Sequence, residues 1–236
     1  MKKQKGLLSL LPVYILVLGG LFIVGIGGNG AITVFSENVP VENRKCVVID
    51  AGHGGEDGGA VSCTGVSESH INLQIALRLN DMLNLLGIDT AMIRDGDYSV
   101  YTQGDSIAAK KISDLKERVR IVNNTPNAFL VSIHQNHFSE ARYKGGQVFY
   151  SGTNGSRSLA AIIQEHYIAT LNPGSNRQIK RADSVYLMEQ IQCTGVLIEC
   201  GFLSNPQEES MLRNERYQKN ICCVIASSLS TYLSNT

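Results

Sequence analysis

Residues 47–61 read VVIDAGHGGEDGGAV, from Val47 through Asp50 and His53 to Val61. Three apolar β-formers and an aspartate run straight into glycine-rich sequence, the mark of a buried strand that ends in a turn. Glycines on both sides of His53 permit positive φ and bring backbone close to whatever the imidazole touches, which suits a ligand at the mouth of a sheet. A solvated loop histidine fits the same residues. A phosphate cradle does not, because neither GxGxxG nor GxxxxGK[ST] is present and no helical pattern follows directly.

Outward from this stretch, strand and helix patterns alternate. Ser69 to Leu86 carries apolar residues at 71, 75, 79, 82 and 86, with Gly87 placed as a C-terminal stop, and predicts a long core helix. Ile88 to Arg94 reads as a strand, and Tyr98 to Ser113 as a polar insertion, a candidate lid. Asp114 and Glu117 resemble a capping pair opening a helix with Leu115, Val119 and Val122 on one face. Ala128 to His134 is a second apolar strand that finishes in histidine. Gly146 to Tyr150 predicts a strand, Ser156 to Leu171 a helix, Ser184 to Met188 a short strand, and Gly195 to Cys200 a third buried strand carrying Glu199. The tail has helical periodicity. The alternation argues for an α/β domain with a mainly parallel sheet, in which ligands collect beyond the C-terminal strand ends.

The chain divides into three parts. Lys2, Lys3 and Lys5 precede Gly6 to Gly28, a run without a charge. A helix of about 20 such residues crosses a bilayer core of about 30 Å. The lysines before the run predict a cytoplasmic N-terminus with the rest of the chain outside. An uncleaved anchor over residues 1–28 is favoured over a cleaved signal peptide, because the apolar run exceeds the usual ~7–15 residue core. Residues 29–44 read as a linker and 45–236 as one domain of ordinary length. Lys plus Arg equals Asp plus Glu at 21 each, which leaves no basic field for nucleic acid. Six cysteines are present, none in a CxxC spacing, and no pairing is legible. Cys222 and Cys223 sit together on the terminal amphipathic helix, where small buried side chains are the default.

Three apolar strands thus deliver His53, His134 and Glu199 to one sheet edge, and Glu68 joins them from the start of the long helix. Two imidazoles and a carboxylate form a catalytic zinc set with one open position, and a second carboxylate nearby can take a water's proton. Each residue also has an ordinary explanation. Glu199 could pair with Arg94 or Arg118, Glu68 could be a helix N-terminal acid, and His134 could be a satisfied core histidine. Joint placement favours chemistry, since a carboxylate flanked by Val196, Leu197 and Ile198 is costly without a cation or a chemical role.

Four blocks carry a family resemblance: DAGHGGEDGGA, GVSESHINL, VSIHQNH and LIECGFLSNPQEESML, followed by the terminal helix. They resemble the signature blocks of the zinc-dependent N-acetylmuramoyl-L-alanine amidases of the Amidase_3 type, spread over roughly Cys46 to Leu233. The resemblance implies a six-stranded α/β fold and one zinc ion bound by His53, Glu68 and His134, with Glu199 as catalytic acid/base. The bond cleaved would join the lactyl group of N-acetylmuramic acid to L-alanine in peptidoglycan. Arg118 and Asn136 are expected to help position substrate. The anchor, the lack of a wall-binding module and the DAGHGG form look most like the sporulation-specific cortex subgroup. That implies a role in muramic-δ-lactam formation, needed for germination, and a location in the forespore intermembrane space. An activating envelope partner is also expected. Ser69 and His137 depart from the family pattern, and His70 and His137 are read as rim residues rather than ligands. Cys200 should face away from Glu199. The alternatives are a membrane-tethered peptidoglycan-binding protein with a structural or degenerate zinc site, and a zinc peptidase or sugar deacetylase.

Overall fold

Strand β1 (Cys46–Ala51) lies between β2 (Asp89–Met92) and β3 (Ala128–Asn136), with parallel pairing on both sides. The sheet continues through β6 (Thr194–Phe202), β4 (Gln147–Tyr150) and β5 (Lys180–Arg181), giving the order β2-β1-β3-β6-β4-β5. All neighbours are parallel except β4 and β6, so the expected mainly parallel sheet is a mixed six-stranded one. The computed structural model describes residues 44–235. The expected anchor and nearly all of the linker lie outside them, and among the described residues no helix is long and apolar enough to cross a membrane.

Helices cover both faces. On one face α1 (Glu68–Leu85), α3 (Ser156–Thr170) and α6 (Glu215–Leu233) pack over Val47, Ile49, Val131, Ile133, Val196 and Ile198. On the other, α2 (Ile107–Asn124) and α4 (Tyr186–Gln190) cover Val48, Leu130 and Leu197. The short α5 (Pro206–Leu212) precedes α6. Buried on both faces, the central strands read as apolar runs rather than alternating ones. Ile71, Ile75, Leu79 and Leu83 form the fully buried stripe of α1 at a spacing of four, each contributing roughly 1.5–3 kcal/mol by leaving water. After Leu86, Gly87 at φ 74 closes the helix, with Gly87 N–H donating to Asn84 O and Ile88 N–H to Leu83 O. This double bond pattern is why a glycine stands there.

Two expected elements differ. Asp114 does not open α2: the helix begins at Ile107, capped by Ser106, whose hydroxyl accepts from Ala109 N–H. Half of the 98–113 insertion is therefore helix. The Asp114 carboxylate instead accepts from Arg118 Nε one helical turn on and from Val100 N–H in the preceding segment, a contact that no local cap signal encodes. Ser184 to Met188 is not a strand either. Leu187 and Met188 lie instead in a one-turn helix beneath α2, both buried in the core there. The strand in that region is Lys180–Arg181. All six cysteines are free thiols, with Cys222 buried and Cys223 exposed.

Candidate metal centre

The turn after β1 is fixed by two buried arginines. Arg94 is 1% exposed and donates from Nε to Ala51 O and from Nη2 to Gly52 O and Ser69 O. Arg118, 2% exposed, donates to Ala51 O and His53 O while it pairs with Asp50 and Asp114. The Asp50 carboxylate also accepts from Ser132 Oγ at 2.6 Å. Burial pushes the Asp50 carboxyl up, but Arg118, His134 and Ser132 together hold it below the usual carboxylate range. Arg118, expected at the substrate, thus has its donors committed to the loop that carries His53. Neither arginine pairs with Glu199, which removes the ordinary explanation for that acid.

Held this way, His53 takes φ 60 and turns its ring inward. Its Nδ1 lies 2.9 Å from Asp57 Oδ2 and its Nε2 3.3 Å from Glu68 Oε2. His134, at the end of β3, places Nδ1 2.9 Å from Glu68 Oε1, and the two imidazoles meet edge to face with centroids 5.0 Å apart. Glu68 is 4% exposed and is oriented by Ala60 N–H on Oε2 and by Gln135 N–H and Asn72 Nδ2 on Oε1. Burial raises its pKa, yet hydrogen bonds and charge from His134 and His53 pull it far below the ordinary glutamate value. Burial lowers the basicity of His53, but Glu68 and Asp57 more than reverse this, to about 9. The site is built to hold positive charge against Glu68.

Two glycines make room. A Cβ on Gly52 would stand 2.2 Å from His134 Nε2, and one on Gly59 would stand 2.7 Å from both Glu68 Oε2 and His53 Cδ2. No side chain fits either position while the imidazoles keep their places. Glu199 stands in register with His134 on the neighbouring strand. Its Oε2 is sealed from solvent with no hydrogen-bond partner among the described residues. Burial, with Glu68 adding to it against the two histidines, pushes its pKa up to about 7. Asn136 lies two residues beyond His134 on the rim, half-buried. His137 is exposed and His70 bonds Gln74 at the surface, so neither joins the cluster. Cys200 faces the opposite side of the sheet, in the core under α1, α3 and α6.

One nitrogen from each of His53 and His134 and one oxygen of Glu68 lie within 4.8 Å of one another. Two imidazoles and a carboxylate are the donors of an open catalytic zinc site, and a buried, unpartnered carboxylate oxygen beside them is costly unless a cation or a water meets it. The residues present therefore fit a zinc ion. Residues 47–231 match the profile of the family described as Amidase_3, N-acetylmuramoyl-L-alanine amidase. The chain belongs to this amidase family. Among its relatives is the germination-specific N-acetylmuramoyl-L-alanine amidase of Bacillus subtilis, 33% identical over 192 residues, 80% of each chain. Among solved structures, the CwlD amidase of Clostridioides difficile in complex with the GerS lipoprotein is 36% identical with TM-score 0.78, covering 82% of this chain and all of that one. An N-acetylmuramoyl-L-alanine amidase of Clostridium difficile 630 is 31% identical with TM-score 0.73, covering 82% of this chain and 99% of that one. The amidase is thus CwlD-like, and the expected family stands.

Sequence reasoning missed Asp57, whose carboxylate orients His53. HGGED does show an acid four residues after the histidine, which is the signal that could have found it. It also missed Asn72, one helical turn after Glu68 and bonded to it.

Proposed function

We propose that the amidase is a zinc hydrolase of spore-cortex peptidoglycan, with His53, Glu68 and His134 holding the ion and Glu199 as the catalytic acid/base. The carrying observation is Glu199 Oε2, sealed from solvent and without a hydrogen-bond partner among the described residues, on a residue in register with His134. Bound there, zinc supplies Lewis-acid polarisation of the scissile carbonyl and a water acidified to a pKa of about 7. Glu199 takes the proton of the attacking water and returns it to the alanine nitrogen as the bond from the lactyl carbonyl to that nitrogen breaks. Asp57 keeps His53 turned toward Glu68, and Asn72 with the Ala60 and Gln135 amides keeps Glu68 from swinging out. Asn136 positions substrate at the rim. A purely structural site gives no reason for a second acid buried without a partner.

The germination-specific relative supports a role in cortex maturation, through stem-peptide removal ahead of muramic-δ-lactam formation. The lysine-flanked apolar run of residues 6–28 supports a single membrane anchor with the catalytic domain outside the cytoplasm, facing the forespore intermembrane space. The GerS lipoprotein in the CwlD complex supports an activating envelope partner for this amidase too.

The test is zinc analysis and muropeptide digestion with the full-length chain. His53→Ala and His134→Ala lose the metal, whereas Glu199→Ala keeps it and loses turnover. New amine on alanine, not on glucosamine, separates the amidase from a deacetylase. A Glu199→Ala enzyme with undiminished peptide release defeats the assignment, and normal muramic-δ-lactam in a deletion strain defeats the cortex role.

A further inference from the structure

A cavity that none of the cluster residues lines opens near the start of β4. It has a volume of about 680 Å³, and its walls include Arg142, Lys144, Asn172, Arg177 and Glu208. These come from the β3–β4 connection, the segment after α3, and α5. β4 starts at Gln147, which pairs with Glu199 across the one antiparallel junction of the sheet. The cavity therefore belongs to the same edge as the cluster, on the far side of Glu199 from His134.

Its side-chain charge is net positive: Arg142, Lys144 and Arg177 share the wall with one carboxylate, Glu208, which feels the attraction of Arg177 and Lys144. Arg177 donates from Nε to Lys144 O at 2.9 Å and from Nη1 to Gln147 Oε1 at 2.9 Å, and its guanidinium lies over the Phe202 ring, 4.7 Å from the centroid. Among the described residues neither Arg177 nor Lys144 has an ion-pair partner within 4.0 Å, whereas Arg142 pairs with the exposed Glu140. Glu208, 5% exposed, is the carboxylate in the wall, and its oxygens accept from Gly145 and Phe202 N–H, which turns them into the backbone. An arginine held flat by two hydrogen bonds and a ring is a preorganised receptor for a carboxylate.

The spacing points to an occupant. Directly opposed antiparallel residues stand about 5 Å apart at Cα, and the Gln147 side chain carries the connection on to Arg177. An extended peptide advances about 3.3 Å per residue. A peptide leaving the scissile bond at Glu199 reaches Arg177 with its second or third residue.

Resting on the proposed amidase site, we propose that this cleft is the stem-peptide subsite, in which Arg177 and Lys144 bind the carboxylate carried by the second or third residue after the scissile amide. The enzyme then selects anionic stems over amidated ones.

The decisive measurement is equilibrium binding of the released peptide to the metal-free, full-length chain, with the second- and third-residue carboxyls free or amidated. The free acid is expected to bind about tenfold more tightly, the scale of one charge-assisted contact, with the preference shrinking as salt rises. Lys144→Gln and Arg177→Gln each reduce that ratio, and the pair together brings it to about one. Because Arg177 also supports Gln147, Lys144→Glu on the exposed wall gives an independent arm, reversing the preference without touching that support. On muropeptides, these variants raise KM for acidic stems far more than for amidated ones, a change of selectivity that a merely structural role does not reproduce. Equal binding of acid and amide by the wild-type chain overturns the subsite. Preserved binding selectivity without turnover by the zinc-loaded chain overturns the hydrolytic reading instead and leaves the cleft standing.

Discussion

Replacing Glu199 by glutamine should make the metal-free protein more stable and the zinc-loaded enzyme nearly inactive. In the folded chain, burial first, then Glu68, raise the carboxyl from 4.5 to about 7 against the pull of the two histidines. An acid whose folded pKa is raised binds its proton more tightly when folded, so stability is greatest below pH 4.5 and falls as pH rises toward 7. The rise from 4.5 to about 7 corresponds to up to about 3 kcal/mol at pH 8. Glutamine carries no charge to desolvate, and among the described residues Oε2 has no hydrogen-bond partner to lose. Chelated Glu199→Gln should therefore melt about 5–10 °C above chelated wild type at pH 8, taking 2–4 °C per kcal/mol for a domain of this size. The advantage should vanish at pH 4, where both side chains are neutral. Loss of the acid/base should lower turnover on muropeptides by about 10²–10⁴-fold. Paired thermal melts at pH 4 and 8, with muropeptide turnover of the zinc-loaded chains, check both halves. Equal melting at pH 8, or a variant less stable there, refutes the claim that Glu199 is held at a cost for chemistry.

Gly52→Ala puts a methyl 2.2 Å from His134 Nε2, so the ring must leave its place. The zinc content of the purified chain should fall to well below one per chain at a stability cost of about 1–3 kcal/mol; full zinc occupancy contradicts the close packing. Asp57→Ala removes the carboxylate 2.9 Å from His53 Nδ1, and chelator competition should read a zinc affinity about 10–100-fold weaker with the fold intact. Asp50→Ala removes one of the two carboxylates paired with the buried Arg118, leaving Asp114, and should destabilise by about 1–3 kcal/mol in denaturant melts. Because the Asp50 carboxyl is held below its ordinary range, its contribution is present above about pH 4 and lost as pH falls through the depressed folded value. Asp50→Asn should accordingly flatten the acid limb of the stability curve, and an unchanged limb rules the pair out as its source.

The apolar strands were legible because a sheet covered on both faces demands continuous Val, Ile and Leu, and a helix covered on one face demands a period near four; Val47–Ile49 and Val196–Ile198 satisfy the first, Leu130–Ile133 does so with one buried serine, and Ile71–Leu83 satisfies the second. What failed was local. Asp114 carries a capping signature yet bonds Arg118 and Val100, and Leu187–Met188 is too short for its period to tell helix from strand.

By itself the chain determined which buried strands carry the candidate residues, and therefore that His53, His134 and Glu199 share an edge, because side-chain alternation and parallel crossovers leave few other arrangements; the strands run on past His134 to Asn136 and past Glu199 to Phe202. Only the tertiary structure decided what each of them faces. That Arg94 and Arg118 clamp carbonyls and leave Glu199 without a cation follows from distances between residues 40 to 70 positions apart in sequence. No local propensity encodes such distances, and they set the charge balance on which the chemistry depends.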